Sequence, residues 1–194
     1  KVIFDGEKSG FWADRDFWAA EVHKYNGRYY LFGSCKTDGK CRTTEVFVSD
    51  TPDGEYLPVS SNNITPKGWE CLDGTLYINR KGKPYMVFCH EHTQIIDGTI
   101  CYMPLSDDLS EAIGEPVTLF KASSPYWADE INDPEKHRIT DGPFMYRSKT
   151  NELFMLWSTF IEGKYAECLV KFNNGEIGMD FTHLPPLIDN DGGH

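Results

Sequence analysis

The hydrophobic and polar positions of the chain alternate in short runs that are separated by turn residues. The run Glu21–Tyr25 is followed by Asn26–Gly27, and the next run covers Arg28–Cys35. Asn-Gly between two such runs is a strong hairpin signal, because both residues tolerate the positive φ angles of a tight turn. Two further runs, Thr43–Ser49 and Glu55–Val59, are joined by a Pro-Asp-Gly turn. The pattern predicts one up-and-down sheet of four short strands.

The same arrangement recurs twice further along the chain. The second copy begins at Asp73, and the third begins at Asp141; each makes a polar turn and continues into an aromatic-rich run. Repeated four-stranded sheets favour a β-propeller, whose innermost strands surround a central channel. A β-sandwich also has short strands, but it gives no reason for an acid to recur at the same place, as Glu21, Asp73 and Asp141 do.

The predicted fold is therefore all-β, with about three blades of a propeller in this sequence. Propellers close with roughly four to eight blades. We expect residues 1–194 to form part of a single propeller domain whose first blade and C-terminal closure lie outside the sequence. The polar and turn-rich segment Ser123–Pro134 is predicted to be a long loop between the second and third blades.

Charge and hydropathy restrict the classes of partner. Acidic residues number 30 against 19 basic ones, a net charge of −11, which disfavours duplex nucleic acid and anionic membranes as partners. No apolar run approaches the roughly 20 residues that a membrane-spanning helix needs. This excess of acidic residues suits an uncharged substrate better than an anionic one.

The six cysteines indicate neither a disulfide-rich domain nor a common zinc site, because none of them is spaced as Cys-x-x-Cys. Cys35 and Cys41 flank a hairpin-like loop, so they are spaced for a disulfide in an oxidising compartment. Buried free thiols are the alternative for the same residues.

The recurring acids supply the candidate chemistry. If they occupy equivalent positions, Glu21, Asp73 and Asp141 converge near the propeller axis. Carboxylates held together in a partly dry channel repel one another, which raises the pKa of at least one of them. A protonated carboxyl beside an ionised one is what cleavage of a glycosidic bond requires. The alternative is that each acid only caps the turn at the start of its strand.

Four segments carry a resemblance to glycoside hydrolase family 43, whose members are five-bladed β-propellers. In the order in which the family has them, they are Phe17–Val22 with its following strand, Leu72–Tyr77, Thr140–Pro143 and Gly192–His194. They are similar to the family's Trp-Ala-Pro-Glu-Val, Ile-Asp-Pro and Glu-Gly-Pro motifs and to its glycine-flanked histidine. Ala20 stands where the family usually has Pro, and Asp141 stands where it has Glu.

The resemblance implies a role for several residues. Asp73 would orient the proton donor and tune its pKa, Asp141 would occupy the general-acid position, and His194 would lie at the axis near a calcium ion, with no organic cofactor. The catalytic base would be an aspartate upstream of Lys1. The implied reaction is hydrolysis, with inversion, of α-L-arabinofuranosyl or β-D-xylosyl linkages in plant polysaccharides or oligosaccharides. The implied location is secreted or periplasmic.

The aspartate at position 141 leaves three interpretations open. Its side chain is one methylene shorter than that of glutamate, so on the same backbone its carboxyl falls short of the usual position by roughly 1 to 1.5 Å. The backbone moves inward, or another acid donates the proton, or the protein binds sugar without cleaving it. Glu91 and Glu70 are the candidate substitutes. The alternatives to a family 43 hydrolase are a non-catalytic carbohydrate-binding propeller and an invertase-like fructosidase.

Aromatic and polar residues complete the predicted sugar site. Aromatic faces pack against sugar rings while polar neighbours bond the hydroxyls. Trp18 is the preferred platform, and Glu21 and Glu91 are predicted to help form the subsite. His90 is assigned to hydrogen bonding with a sugar hydroxyl or a catalytic acid, with a structural histidine as the alternative.

Overall fold

Nearly all of the regular secondary structure is β-strand, and the described residues include two single-turn helices. The computed structural model describes residues 1–61 and 63–189. Its strands form three antiparallel sheets of four strands each, which confirms the predicted all-β fold and the three blades within the described residues. The helices are α1 (Gly6–Ser9), before the first sheet, and α2 (His92–Ile95), within a connection of the second.

Each sheet contains four strands that follow one another in the chain. The first sheet comprises β1 (Arg15–Tyr25), β2 (Arg28–Lys36), β3 (Thr43–Ser49) and β4 (Leu57–Pro58). The second comprises β5 (Cys71–Ile78), β6 (Pro84–His90), β7 (Thr99–Pro104) and β8 (Val117–Lys121). The third comprises β9 (Asp141–Arg147), β10 (Leu153–Ile161), β11 (Lys164–Phe172) and β12 (Phe181–Asp189). The predicted loop at Ser123–Pro134 lies between the second and third sheets, as expected.

The sheets pack face to face because alternate side chains of a strand point to opposite faces. On β6, Met86 and Phe88 pack against the first sheet, where they meet Phe32. Their neighbours Val87 and Cys89 face the third sheet and share a second core with its buried residues Met155, Trp157, Cys168 and Val170. The middle sheet is therefore buried on both faces, as the blade of a propeller is.

Two strands differ in length from the prediction. Strand β1 begins at Arg15 rather than at Glu21, so Glu21 lies in the middle of the strand, opposite Phe32. The pairing of β1 continues through two irregularities, near which Asp16 and Ala19 have positive φ angles. Strand β4 is only two residues long, and it ends at Pro58, whose nitrogen has no hydrogen to donate to a partner strand.

The cysteines do not form the disulfide for which Cys35 and Cys41 are spaced. Both are free thiols, as are the four other cysteines. Cys35 lies on the first sheet, and its side chain is buried. The alternative prediction of free thiols is therefore the one that agrees with the structure, although Cys41 is only partly buried.

The first strands of the three sheets are neighbours, and each is irregular where it carries acids. Strand β5 contacts both β1 and β9. Its pairing with β6 shifts between Leu72 and Thr75, and Asp73 in that bulge has a φ of 53°. Strand β9 shifts its pairing beside Gly142, whose φ is 52°. Bulges of this kind re-aim side chains and are frequent beside active sites.

Hydrogen bonds between sheets satisfy the backbone of the β5 bulge. The Asp73 N–H donates to the Ser34 hydroxyl over 2.8 Å, and the Gly74 N–H donates to the Thr44 hydroxyl over 2.9 Å. Both hydroxyls belong to the first sheet. A Cβ atom on Gly74 would lie 2.7 Å from a Thr44 methyl carbon, so the approach of the two sheets requires glycine there. The first sheet thus supports the strand that carries Asp73.

We predict that Thr44→Val destabilises the complete protein by about 1–3 kcal/mol, because it leaves the Gly74 N–H buried without an acceptor. Thr44 is fully buried, so no water is available to replace the hydroxyl. Thermal unfolding of this variant should be compared with that of Thr44→Ser, which keeps the acceptor. If Thr44→Val proved as stable as Thr44→Ser, the hydrogen bond to the bulge would have no part in stability.

Candidate active site

Asp73 and Asp141 meet where the second and third sheets adjoin. Asp73 lies in the β5 bulge, and Asp141 is the first residue of β9. The Asp73 carboxylate accepts a hydrogen bond of 2.9 Å from the N–H of Gly142, the residue after Asp141. The left-handed φ of Gly142 suits glycine, and it turns this N–H toward the neighbouring sheet. One hydrogen bond therefore fixes the two aspartates relative to each other.

Asp141 is the acid with the most strongly altered ionisation in this group. Burial raises its pKa to about 7, and the negative charges of Asp73 and Glu91 act in the same direction. The hydroxyl of Tyr165 donates a hydrogen bond of 2.8 Å to Oδ2 of Asp141, and this bond opposes the rise. A carboxyl of this pKa is partly protonated at neutral pH, which is the requirement for a general acid.

The pKa of Asp73 is also raised, chiefly by burial. The charges of Glu21 and Glu91 add to the rise, while hydrogen bonds with Gly142 and Ser34 oppose it. Since Glu21 influences the ionisation of Asp73 across two sheets, the structure brings all three recurring acids into one neighbourhood. The Oε1 atom of Glu21 is 2.9 Å from Nε2 of His23, which in turn lies 3.4 Å from the Thr75 hydroxyl.

The two alternative proton donors, Glu91 and Glu70, both accept hydrogen bonds from basic or backbone groups. Glu91 follows β6, is only 7% exposed, and accepts from Nε of Arg42 over 3.2 Å. Glu70 accepts from Nζ of Lys36 at 3.0 Å and from the Arg42 backbone N–H at 2.6 Å. These contacts suit ionised carboxylates, which accept hydrogen bonds but donate none.

Trp18 and His90 differ in their exposure and contacts. Trp18 lies on β1 opposite Ser34 and is 47% exposed, with the Arg42 guanidinium 3.9 Å from its ring. His90 is buried, stacks on Trp69 at 4.1 Å, and shares a 2.7 Å hydrogen bond with Gln94. The recorded contacts of the His90 ring thus link it to Trp69 and Gln94, not to the two aspartates.

Sequence reasoning missed three residues of the site: Arg42, Tyr165 and Ser34. Each contacts an acid or the backbone of an acid that lies more than 20 positions away in the chain. No local motif marks them. Asp16, on β1, is a further acid of this region, and it accepts a 2.9 Å hydrogen bond from Arg42.

The predicted calcium neighbour, His194, lies outside the described residues. Within residues 1–61 and 63–189, one group of three side chains has the spacing of metal ligands: Asp133, Glu135 and His137. This group lies on the connection between β8 and β9, and Asp133 is already hydrogen-bonded to the His137 ring. Two of the three side chains, Asp133 and His137, therefore bond each other without an ion.

The comparisons agree with one another on the family of the chain. Residues 2–176 match the family described as glycosyl hydrolases family 43. An endo-arabinase structure from Bacteroides thetaiotaomicron is 42% identical, with a TM-score of 0.89 over 96% of this chain and 67% of that one. An endo-1,4-β-xylanase structure from the same organism is 20% identical, with a TM-score of 0.71 over 94% of this chain and 57% of that one.

A curated relative from Bacteroides ovatus, named xylosidase/arabinosidase, is 33% identical over 72 residues, which is 34% of this chain and 22% of that protein. The chain therefore spans about two thirds or less of the length of these relatives. Neither described helix has the length and apolarity to cross a membrane.

We predict that Asp141→Asn stabilises the complete protein at pH 8 but not at pH 4. The pKa of Asp141 is higher in the folded state than in the unfolded state, so its favourable contribution is present below about pH 4 and is lost as the pH rises through about 7. Asparagine removes this loss, and we expect a gain on the order of 1–3 kcal/mol at pH 8.

Thermal unfolding at the two pH values measures the effect. Asp107→Asn is the matched control, because Asp107 is exposed and, among the described residues, forms an ion pair with Lys83 alone. An Asp141→Asn variant that gains nothing at pH 8 relative to this control would show that Asp141 ionises in the fold as it does in water.

Proposed function

Because the chain belongs to glycosyl hydrolases family 43, we propose that the complete protein hydrolyses glycosidic bonds, with Asp141 as the proton donor. The observation that carries this function is the fixed pair of partly buried aspartates, in which Asp141 has a pKa of about 7 and accepts a hydrogen bond from Tyr165. Such a carboxyl is protonated often enough at neutral pH to donate and ionises readily afterwards.

In this mechanism Asp141 protonates the leaving oxygen while water attacks the anomeric carbon from the opposite face. Asp73 holds the position of Asp141 through the Gly142 N–H and keeps its pKa high through its own negative charge. Inversion follows from a single displacement by water. The base that activates the water is an aspartate of the blade that precedes this chain in the complete protein, as the family resemblance implies.

Asp141 is preferred to Glu91 and Glu70 as the donor. Arg42 bonds Glu91, while Lys36 and a backbone N–H bond Glu70, so both carboxylates are already acceptors. In this proposal the backbone beside the left-handed Gly142 brings the shorter side chain of Asp141 far enough inward to donate. Tyr165 then holds the carboxyl in place.

We propose α-L-arabinofuranosyl linkages as the preferred substrate and β-D-xylosyl linkages as the second. The 42% identity to a structure named endo-arabinase supports the first choice, whereas the structure named xylanase is too distant, at 20% identity, to support more than the fold. Because such substrates are polymers or fragments of them, we expect the protein to be secreted or periplasmic. Calcium at the axis, near His194, is part of the same proposal.

We predict that Asp73→Asn and Asp141→Asn each lower turnover of the complete protein by roughly 10²–10⁴-fold, the range that general acid catalysis contributes. The substrates are linear arabinan, 4-nitrophenyl α-L-arabinofuranoside and 4-nitrophenyl β-D-xyloside. Asparagine tolerates the left-handed φ of position 73, so the backbone of the bulge should persist.

Asp107→Asn serves as the control for a charge change remote from the site, and thermal unfolding confirms that each variant folds. Full activity of Asp141→Asn on linear arabinan, whose leaving group is a sugar hydroxyl that needs protonation, would exclude Asp141 as the donor. A wild-type protein that binds arabino-oligosaccharides without hydrolysing any of the substrates would favour the carbohydrate-binding propeller instead.

A further inference from the structure

Arg42 is a buried cation with contacts to three functional side chains. It lies directly before β3 and is 7% exposed. Its Nε donates to Glu91 over 3.2 Å and its Nη1 donates to Asp16 over 2.9 Å, while its guanidinium carbon is 3.9 Å from the centre of the Trp18 ring. It therefore connects strand β1 of the first sheet to the end of β6 in the second.

The backbone of Arg42 is fixed as firmly as its side chain. Its N–H donates to the Glu70 carboxylate, and its carbonyl accepts from the Cys71 N–H over 2.9 Å. A guanidinium is suited to this place because it is planar, donates in two directions at once and stacks on an aromatic face. A lysine ammonium carries the same charge, but it is not planar and lacks the rigid fork of donors that holds two acceptors in fixed directions.

We propose that Arg42 is a positioning residue that holds the Trp18 ring and the Glu91 carboxylate as one sugar-binding subsite beside Asp73 and Asp141. This inference extends the proposed glycosidase function and rests on it for the identity of the ligand as a sugar. Arg42 covers one face of Trp18, and the ring nevertheless remains 47% exposed. In this proposal the sugar ring packs on the face away from Arg42.

A largely apolar groove lies beside Trp18 on the first sheet. It has a volume of about 380 Å³, and its lining includes Phe17, Trp18 and Ser34. Ser34 is the residue whose hydroxyl accepts from the Asp73 N–H. A sugar ring that packs on Trp18 in this groove would thus lie close to strand β5, which carries Asp73.

Glu91 offers the polar half of the subsite. One of its oxygens, Oε2, accepts from Arg42, and Oε1 makes no hydrogen bond within the described part of the chain. A carboxylate oxygen of this kind is a strong acceptor for a sugar hydroxyl. An aromatic face with a fixed acceptor beside it is the usual combination in carbohydrate recognition.

The test compares Arg42→Lys and Arg42→Ala with Arg28→Lys and Arg28→Ala in the complete protein. Arg28 is a matched control, because it also forms an ion pair through Nε, with Asp50 at 2.8 Å. Unlike Arg42 it is exposed, and among the described residues it bonds none of the acids of the candidate site. We expect both Arg42 variants to lower kcat/KM on arabino-oligosaccharides by at least about tenfold. The Arg28 variants should match the wild type.

Two further readouts separate positioning from stability. Millimolar guanidinium, well below denaturing concentrations, should restore part of the lost kcat/KM of Arg42→Ala, whereas ammonium should not. Trp18→Ala combined with Arg42→Ala should cost less than the sum of the single changes, because both remove the same subsite. Thermal unfolding of every variant shows whether the fold persists.

Calorimetric titration with arabino-oligosaccharides measures the subsite without requiring hydrolysis. If the wild type binds but does not hydrolyse, the proposed reaction fails while the subsite stands, provided that Arg42→Ala loses binding. Folded Arg42 variants with wild-type binding and kcat/KM would overturn the positioning role. A loss of kcat/KM that parallels the fall in thermal stability and is not rescued by guanidinium would also overturn the positioning role. A wild type that binds no sugar would overturn it as well.

Discussion

The hydrogen bond from the Gly142 N–H to the Asp73 carboxylate joins two blades at the point where their acids meet. It requires a left-handed backbone at both residues, and each of those conformations lies in an irregular part of an innermost strand. The β5 bulge in turn depends on the hydroxyls of Ser34 and Thr44 in the preceding sheet. The site is therefore a product of contacts between blades, and no blade contains it alone.

The ionisation of the acids follows from the same contacts between blades. Bringing Glu21, Asp73, Glu91 and Asp141 into one partly dry region would be unfavourable if all of them were ionised. The structure reduces this cost in two ways: Arg42 neutralises Glu91 and Asp16, and Asp141 has a pKa near neutrality. The Tyr165 hydroxyl limits the rise in the pKa of Asp141. As a result, Asp141 can both hold and release a proton near neutral pH.

Local patterns were sufficient to predict the sheets. Alternating runs and turn residues identified β2 and β3 almost to the residue, and the repeated acid predicted that β5 and β9 would carry Asp73 and Asp141 at a common centre. The start of β1 was wrong by six positions, because the backbone reaches Arg15 only through positive φ angles near Asp16 and Ala19 that no alternation reveals.

Contacts between distant residues could not be predicted in this way. Arg42 follows a cysteine in a polar loop, and Tyr165 sits in an alternating strand; neither has a sequence signature that distinguishes it from a surface residue. Their roles depend on partners 49 and 24 positions away. The domain boundaries, the catalytic base and His194 stay predictions, since they concern residues beyond those described.

The most direct test of the central claim is the pKa of the Asp141 carboxyl in the complete protein, measured by ¹³C NMR titration and assigned with Asp141→Asn. We expect a value of about 7. A value of about 4, as for an aspartate in water, would contradict it, because Asp141 would then be fully ionised at neutral pH and unable to donate a proton.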